Sequence, residues 1–396
     1  MCRTLIFNFI ICLITFSSCS NNKKTPTHKD SDTLIVNNDS ILKILKTIHA
    51  SAKAKQLDSL FKNKAKAGRF NGVVLIAQEG QIIYEFASGY SNIKTKDSLT
   101  KNSVFQLAST SKTLTAAAIL LLKDQGKLKL TDTLQKYFPN FPYPNITIQN
   151  LLTHRSGLGN YLYFGEPYCD DKYCYNGKIL NNNTLLGMMM NEKPARCFPP
   201  NKKFQYCNTN YALLASIVEK ISSMNFSDFM QKNIFNPLGM KNTFVRTSSN
   251  YNANSKTATV GHTPFFKIEE NEYADAVVGD KGVYSTVEDL FLWDQALYSN
   301  KLLKQQTIKE AFTGYSNEHS GKRNYGYGWR LLDNGHNDKI VYHNGWWHGY
   351  NSLFFRRPSD RTTIIILSNK DNRSIYQIQD IVAILNPYSK EINVEQ

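Results

Sequence analysis

Apolar residues follow two different periodicities along the chain, and the order in which they occur already outlines an architecture. Residues 71–89, NGVVLIAQEGQIIYEFASG, hold dense apolar runs on either side of Glu79–Gly80, which predicts a strand, a tight turn and a second strand. Runs of strand character return near the carboxyl end, in YGYGWRLL at 325–332, KIVYH at 339–343, YNSLFFRR at 350–357 and RTTIIILSN at 361–369. Helical spacing governs the rest. Residues 41–66 carry Ile41, Leu42, Leu45, Ile48, Leu57 and Leu60, the stripe of a basic amphipathic helix. FQLASTSKTLTAAAILLL at 105–122 predicts a buried helix. Shorter helical segments fall at 147–154, 182–190, 209–222, 225–234 and 286–298, with a closing helix near 374–385. Strands at both chain ends with helices between them imply an α/β fold, one mixed sheet interrupted by a helical insertion.

Charge changes this picture mainly at the amino terminus. The formal net charge is +15, but residues 1–70 contain twelve Lys/Arg against four Asp and no Glu. More than half of the excess therefore sits there. The rest is mildly basic, without a Lys/Arg stripe interleaved with aromatics, so nucleic acid is not an expected partner. A basic tail near anionic lipid fits better.

Arg3, the mostly apolar LIFNFIICLITF and the small residues before Cys19 have the three-part form of an export leader, residues 1–18. FSSC resembles the lipobox of bacterial lipoproteins, which implies lipidation of Cys19 and a membrane contact through that anchor. A soluble secreted protein cleaved nearby is the other reading. Residues 19–40 are polar and predict a flexible tether, and residues 41–396 the folded domain. Its α/β part spans about 65–125 and 285–386, with the helical insertion at about 126–284. The expected location is the cell envelope, at the outer membrane facing the periplasm. Export also implies an oxidising compartment, in which Cys169, Cys174, Cys197 and Cys207 admit three pairings.

Candidate chemistry begins at Ser109-Thr-Ser-Lys112. On a helix, residues three apart share a face, which sets a hydroxyl beside an ammonium. Spacing alone decides nothing, because Ser-x-x-Lys also occurs at Ser20, Ser40, Ser59, Ser91 and Ser98. The ordinary role for such a serine is a helix N-cap, worth about 1 kcal/mol. Two later segments supply company: FQYCNTNY at 204–211 and VYHNGWWHG at 341–349. Tyr206 would serve as a general base and Asn208 would orient Lys112 or a substrate amide. His343 and Gly345 would line the opposite wall, and the Trp346 amide would join that of Ser109 as an oxyanion hole.

Together, Ser109-x-x-Lys112, Tyr206-x-Asn208 and His343-x-Gly345 resemble the three motifs of the serine penicillin-recognising enzymes, in the branch of class C β-lactamases, D,D-peptidases and related esterases. LLTHRSGL at 151–158 and GVYSTVEDL at 282–290 resemble two further segments of that branch. The resemblance implies a β-lactamase-like fold, a sheet flanked by helices with an inserted helical subdomain. It also implies acylation of Ser109, with catalytic roles for Lys112, Tyr206, Asn208 and His343. Two departures stand out. Histidine takes the place at 343 where many β-lactamases carry lysine, and it holds a substrate carboxylate only when protonated. Trp346–Trp347 follows where small residues are common, so these rings would narrow the cleft or stack on an acyl group. Cys207, inside the second motif, is expected to be a disulfide partner rather than a reactive thiol.

Elsewhere, His154 and Ser156 read as parts of the fold, and His348 as either a substrate contact or a surface residue. No His-Glu-x-x-His or Cys-x-x-Cys occurs, so no catalytic metal or other cofactor is expected. The expected function is a serine hydrolase acting on an amide or ester, with a D-amino-acid peptide or a small ester as the acyl donor. A β-lactamase is an alternative. From different classes, so are a slow-deacylating or non-catalytic sensor and a structural envelope lipoprotein.

Overall fold

The computed structural model describes residues 38–168, 179–246, 258–270, 273–318, 321–333, 335, 338–387 and 394. The expected leader, Cys19 and the tether up to residue 37 lie outside the described residues, as do Cys169 and Cys174.

The tether's last three positions, 38–40, are already helical. Helix α1, Asn38–Thr47, and α2, Ala50–Lys66, replace the single helix expected over 41–66. His49 adopts a left-handed backbone (φ 53°), which breaks the helical ladder between them.

Seven strands form the main sheet: β1 Gly72–Gln78, β2 Gln81–Ser88, β3 Arg323–Tyr325, β4 Arg330–Asp333, β5 Lys339–Trp347, β6 Tyr350–Arg357 and β7 Thr362–Ser368. Their spatial order is β2-β1-β7-β6-β5-β4-β3, with antiparallel pairing throughout. The two chain ends meet where β1 pairs with β7, Gly72 opposite Ser368. Between β1 and β2, Glu79 (φ 51°) and Gly80 (φ 69°) both take positive φ, as the right-handed twist of a two-residue hairpin requires.

Every residue of β1, β6 and β7 is buried. That explains runs such as TTIIILS, whose apolar residues do not alternate with polar ones: both faces of these strands are covered. Val74, Ile76, Ile364 and Ile366 pack against Leu57 and Phe61 of α2 and against Ile381 and Leu385 of α6, Gln379–Leu385. Val73, Leu75, Ile365 and Leu367 point the other way. They join a larger core with α3 (Ser111–Asp124), α4 (Asn208–Ser222) and α5 (Val287–Ala296).

Residues 126–284 supply helices at Leu134–Tyr137, Ile148–Leu152, Tyr161–Tyr168, Asn182–Glu192 and Phe226–Met230, besides α4. At the carboxyl end of this stretch, Phe244–Val245 and Val283–Ser285 pair with each other, and Val283–Ser285 also pairs with Phe105–Gln106 just before α3. The helical region is thereby tied to the chain that leads into α3.

Candidate active site

Helix α3 is buried from Ser111 to Leu120, and its first turn organises the site. Three of its side chains fasten the 279–283 segment. Ser111 Oγ accepts the Val283 amide (3.2 Å), while Thr115 donates to the Gly279 carbonyl (2.7 Å) and Lys112 Nζ to the Asp280 carbonyl (2.7 Å). Lys112 Nζ also donates to Ser109 Oγ at 3.0 Å. Ser109 itself lies in a 3-10 turn, Ala108–Thr110, that makes no side-chain cap. The N-cap role expected of a serine there is therefore absent. Ala108 just before it holds φ at 47°, a region costly for a residue with a β-carbon, which turns Ser109 out towards the cleft.

Opposite stands the end of β5. Strand β4 pairs with β5 only from Lys339 to Tyr342, and residues 343–347 pair with β6 alone among the described strands. Gly345 lies close against the serine turn. A β-carbon there would stand 2.8 Å from the Ser109 nitrogen and 2.7 Å from Ser352 Oγ, so only glycine permits this approach. Thr110 Oγ1 and Ser352 Oγ, 2.8 Å apart, stitch the turn to the sheet beneath it.

Tyr206 and Asn208 enter from the loop that opens α4. His154 supports this loop: its Nδ1 accepts the Cys207 amide at 3.1 Å, and its ring lies 4.3 Å from that of Tyr206. Ser156 donates to Asn210 Oδ1 at 2.6 Å, within the first turn of α4. The segment expected to belong to the fold thus holds the second motif in place. Lys112 Nζ sits 5.1 Å from the centre of the Tyr206 ring. The Tyr206 hydroxyl and Asn208 Oδ1 are buried and have no hydrogen-bond partner among the described residues, so neither bonds Ser109 or Lys112.

A cleft of about 830 Å³ lies over these groups. It is lined by Ser109, Tyr206, Asn208, Asn344, Trp346 and Trp347, and more widely by Leu162, Tyr163, Phe164, Pro194, Asp280, Lys281 and Arg330. His343 is not in this wall. It is fully buried, with Nε2 3.1 Å from the Tyr325 hydroxyl and Nδ1 2.7 Å from the Asn344 carbonyl. Burial, and next the charges of Arg330 and Lys112, push its pKa well below the usual histidine range. A neutral, enclosed imidazole holds no carboxylate, so His343 does not replace the family's lysine as a cation. The cation facing the cleft from this side is Arg330, whose guanidinium lies 5.2 Å from the Tyr206 ring centre. Burial and the same neighbouring cations also depress the pKa of His154.

The tryptophans differ. Trp346 is partly exposed and donates to Asp371 at 3.0 Å, whereas Trp347 donates to Asp275 at 2.6 Å and its ring centre stands 4.6 Å from Lys281 Nζ. His348 lies off the main cleft beside the Glu270 carbonyl, at 3.0 Å. The disulfide expected for Cys207 does not form. Cys207 is a buried free thiol that donates towards the Leu158 and Gly159 carbonyls (3.5 Å each), and burial raises its pKa to about 11. Cys197 is a free, exposed thiol at the cleft wall.

Arg330, Asp280 and Lys281 escaped the sequence reading. Arg330 is the one charge in the strand run YGYGWRLL. The Asp-Lys pair sits between glycines in GDKG and reads as a turn.

Residues 57–385 match the family model described as Beta-lactamase. Penicillin-binding protein 4* of Bacillus subtilis is 35% identical over 342 residues, 82% of this chain and 74% of that protein. The putative penicillin-binding protein PbpX of the same species is 26% identical, with 92% of this chain and 88% of that one covered. Among solved structures, a penicillin-binding protein from Bacillus halodurans superposes with a TM-score of 0.70 at 23% identity, covering 83% of this chain and 98% of that one. FmtA from Staphylococcus aureus gives 0.69 at 19%, covering 87% and 92%. The sheet with its flanking helices is thus shared with these structures, and the chain belongs to the beta-lactamase family as a serine hydrolase of the penicillin-binding-protein-like kind.

Proposed function

We propose that the protein is a cell-envelope hydrolase that cleaves an amide or ester through an acyl-enzyme on Ser109, with a D-amino-acid peptide as its acyl donor. The observation that carries this reading is the 3.0 Å contact of Lys112 Nζ with Ser109 Oγ on the wall of a cleft large enough for a peptide. Ser109 Oγ attacks the carbonyl carbon. Its proton passes to the Lys112–Tyr206 pair, one member of which acts as the general base. The amides of Ser109 and Trp346 hold the tetrahedral oxyanion. As the C–N or C–O bond breaks, the pair returns the proton to the leaving group. Water then attacks the acyl carbon, and Tyr206 takes the water's proton and passes it to Ser109 Oγ as the acyl C–O bond breaks and the acid is released.

The unpartnered Tyr206 hydroxyl and Asn208 Oδ1 are the groups a bound peptide would satisfy. Arg330 is placed to receive a leaving group that carries a carboxylate. The chain is exported and tethered to the membrane through Cys19 in this reading, which the amino-terminal sequence supports. Penicillins acylating the same serine would accord with the names of the relatives. A second reading, a sensor whose acyl-enzyme is long-lived, is favoured by one observation: the Tyr206 hydroxyl makes no hydrogen bond to Ser109.

Intact-mass spectrometry and product analysis with a fluorescent penicillin, a D-Ala-D-Ala peptide and a nitrophenyl ester test both readings. Turnover of the peptide or ester with a transient adduct is expected. A burst with no turnover marks the sensor, and no adduct or product from any of the three refutes both.

A further inference from the structure

Within the cleft, the wall formed by Leu162, Phe164, Pro194 and Trp347 is apolar, but an ion pair interrupts it. Asp280 and Lys281 are 2% and 3% exposed, and both line the cleft. Asp280 Oδ2 is committed: it accepts from the Tyr161 hydroxyl at 3.0 Å and faces Lys281 Nζ at 3.5 Å, and Lys281 also donates to Tyr161. Oδ1 is not. It is buried and has no hydrogen-bond partner among the described residues.

A buried carboxylate oxygen without a donor is unfavourable, so a ligand that brings an N–H to it is preferred over one that does not. The backbone places this oxygen close to the chemistry, because the ammonium that touches Ser109 Oγ also touches the carbonyl of Asp280 itself. The residue that carries this carboxylate is therefore linked to the nucleophile through one side chain, that of Lys112.

We propose that Asp280 sets the acyl-donor specificity of the cleft, its Oδ1 accepting an N–H carried on the carbon next to the attacked carbonyl. The inference rests on acylation of Ser109 and adds to it the chemistry of the acyl group. An amino-acid or peptidyl donor has such an N–H, either as a free ammonium or as an amide; a simple fatty acyl ester has none. Lys281 and Tyr161 hold the carboxylate in position, and Lys281 balances its charge, so an uncharged amide N–H is accommodated as readily as a cation.

The test compares 4-nitrophenyl esters of isobutyrate, D-alanine and N-acetyl-D-alanine. In the first, a methyl group replaces the amine of the second. On the wild-type protein, at least one nitrogen-bearing ester is expected to exceed isobutyrate in kcat/KM by about tenfold or more, since a site built for an N–H rejects the analogue that lacks it. Preference for the free amine identifies an amino-terminal donor, and preference for the acetamide identifies a peptidyl one. Asp280→Leu, which removes the acceptor, is expected to shrink the ratio towards one. Equal turnover of all three esters by the wild type, or preference for isobutyrate, overturns the proposal without any variant having to fold. The underlying reading fails separately, if Ser109→Ala hydrolyses the esters as fast as the wild type.

Discussion

His343 is joined to Tyr325 through a 3.1 Å contact between Nε2 and the phenolic oxygen. Because Nδ1 faces the Asn344 carbonyl, which only accepts, the ring proton sits on Nδ1, and Tyr325 donates to Nε2. The imidazole is thus neutral and fully engaged behind the cleft. His154 is also buried with its pKa depressed, but its Nδ1 accepts the Cys207 amide and its Nε2 has no hydrogen-bond partner among the described residues.

A pH dependence of stability follows. Both folded-state pKa values lie below the unfolded value near 6.5, so the unfolded chain takes up protons first on acidification. The stability these two residues contribute is present above about pH 6.5 and is lost as pH falls from there towards the depressed values. Urea midpoints measured at neutral pH and at about pH 5 should fall for the wild type. The drop should be smaller in His343→Gln, and an equal drop would contradict the assignment.

Gly345 gives a second prediction. A β-carbon at this position meets the Ser109 amide and Ser352 Oγ, so Gly345→Ala must displace the serine turn or the β5 edge. Loss of one oxyanion donor costs about 10²–10³ in rate, and acylation by a nitrophenyl ester should fall by that order. Overpacking should cost about 1–3 kcal/mol in a denaturant titration. Unchanged acylation would show that the close approach has no part in the chemistry.

Arg330 should separate charged from neutral substrates. Arg330→Met removes one of the two cations that line the cleft among the described residues, so acylation by a carboxylate-bearing penicillin is expected to slow by about ten- to a hundredfold, the weight of a charge-assisted hydrogen bond. A neutral ester should be affected much less. Equal losses on the two would assign Arg330 to positioning Tyr206 instead.

Far from the cleft, Arg356 Nε and Asp294 Oδ1 form a fully buried pair at 2.5 Å between β6 and α5. Asp294→Ala leaves an enclosed guanidinium without its counter-charge and should cost about 3–5 kcal/mol, read as a lowered denaturation midpoint.

Much of this arrangement was legible in the sequence, for physical reasons. Strands β1, β6 and β7 are covered on both faces, so their apolar runs are dense and unmistakable. Lys112 lies one helical turn from Ser109, and helical periodicity alone brings the two side chains together. His343 and Arg330 were not legible in the same way. Which residue faces the cleft depends on where Tyr206 and Tyr325 close over the end of β5, and that is decided by packing between segments more than a hundred residues apart. The state of Cys207 likewise depends on distant chain, because the carbonyls of Leu158 and Gly159 occupy its thiol. The helix break at His49 is local, and it falls where the apolar stripe has a gap between Ile48 and Leu57.

The central claim is that Ser109 carries the acyl group. The most direct measurement is peptide mapping by mass spectrometry after brief exposure of the wild-type protein to a fluorescent penicillin and acid quenching. The adduct is expected on the peptide containing Ser109, at that residue, and Ser109→Ala should remain unlabelled with its fold intact. An adduct on any other side chain, or equal labelling of Ser109→Ala, would contradict the account.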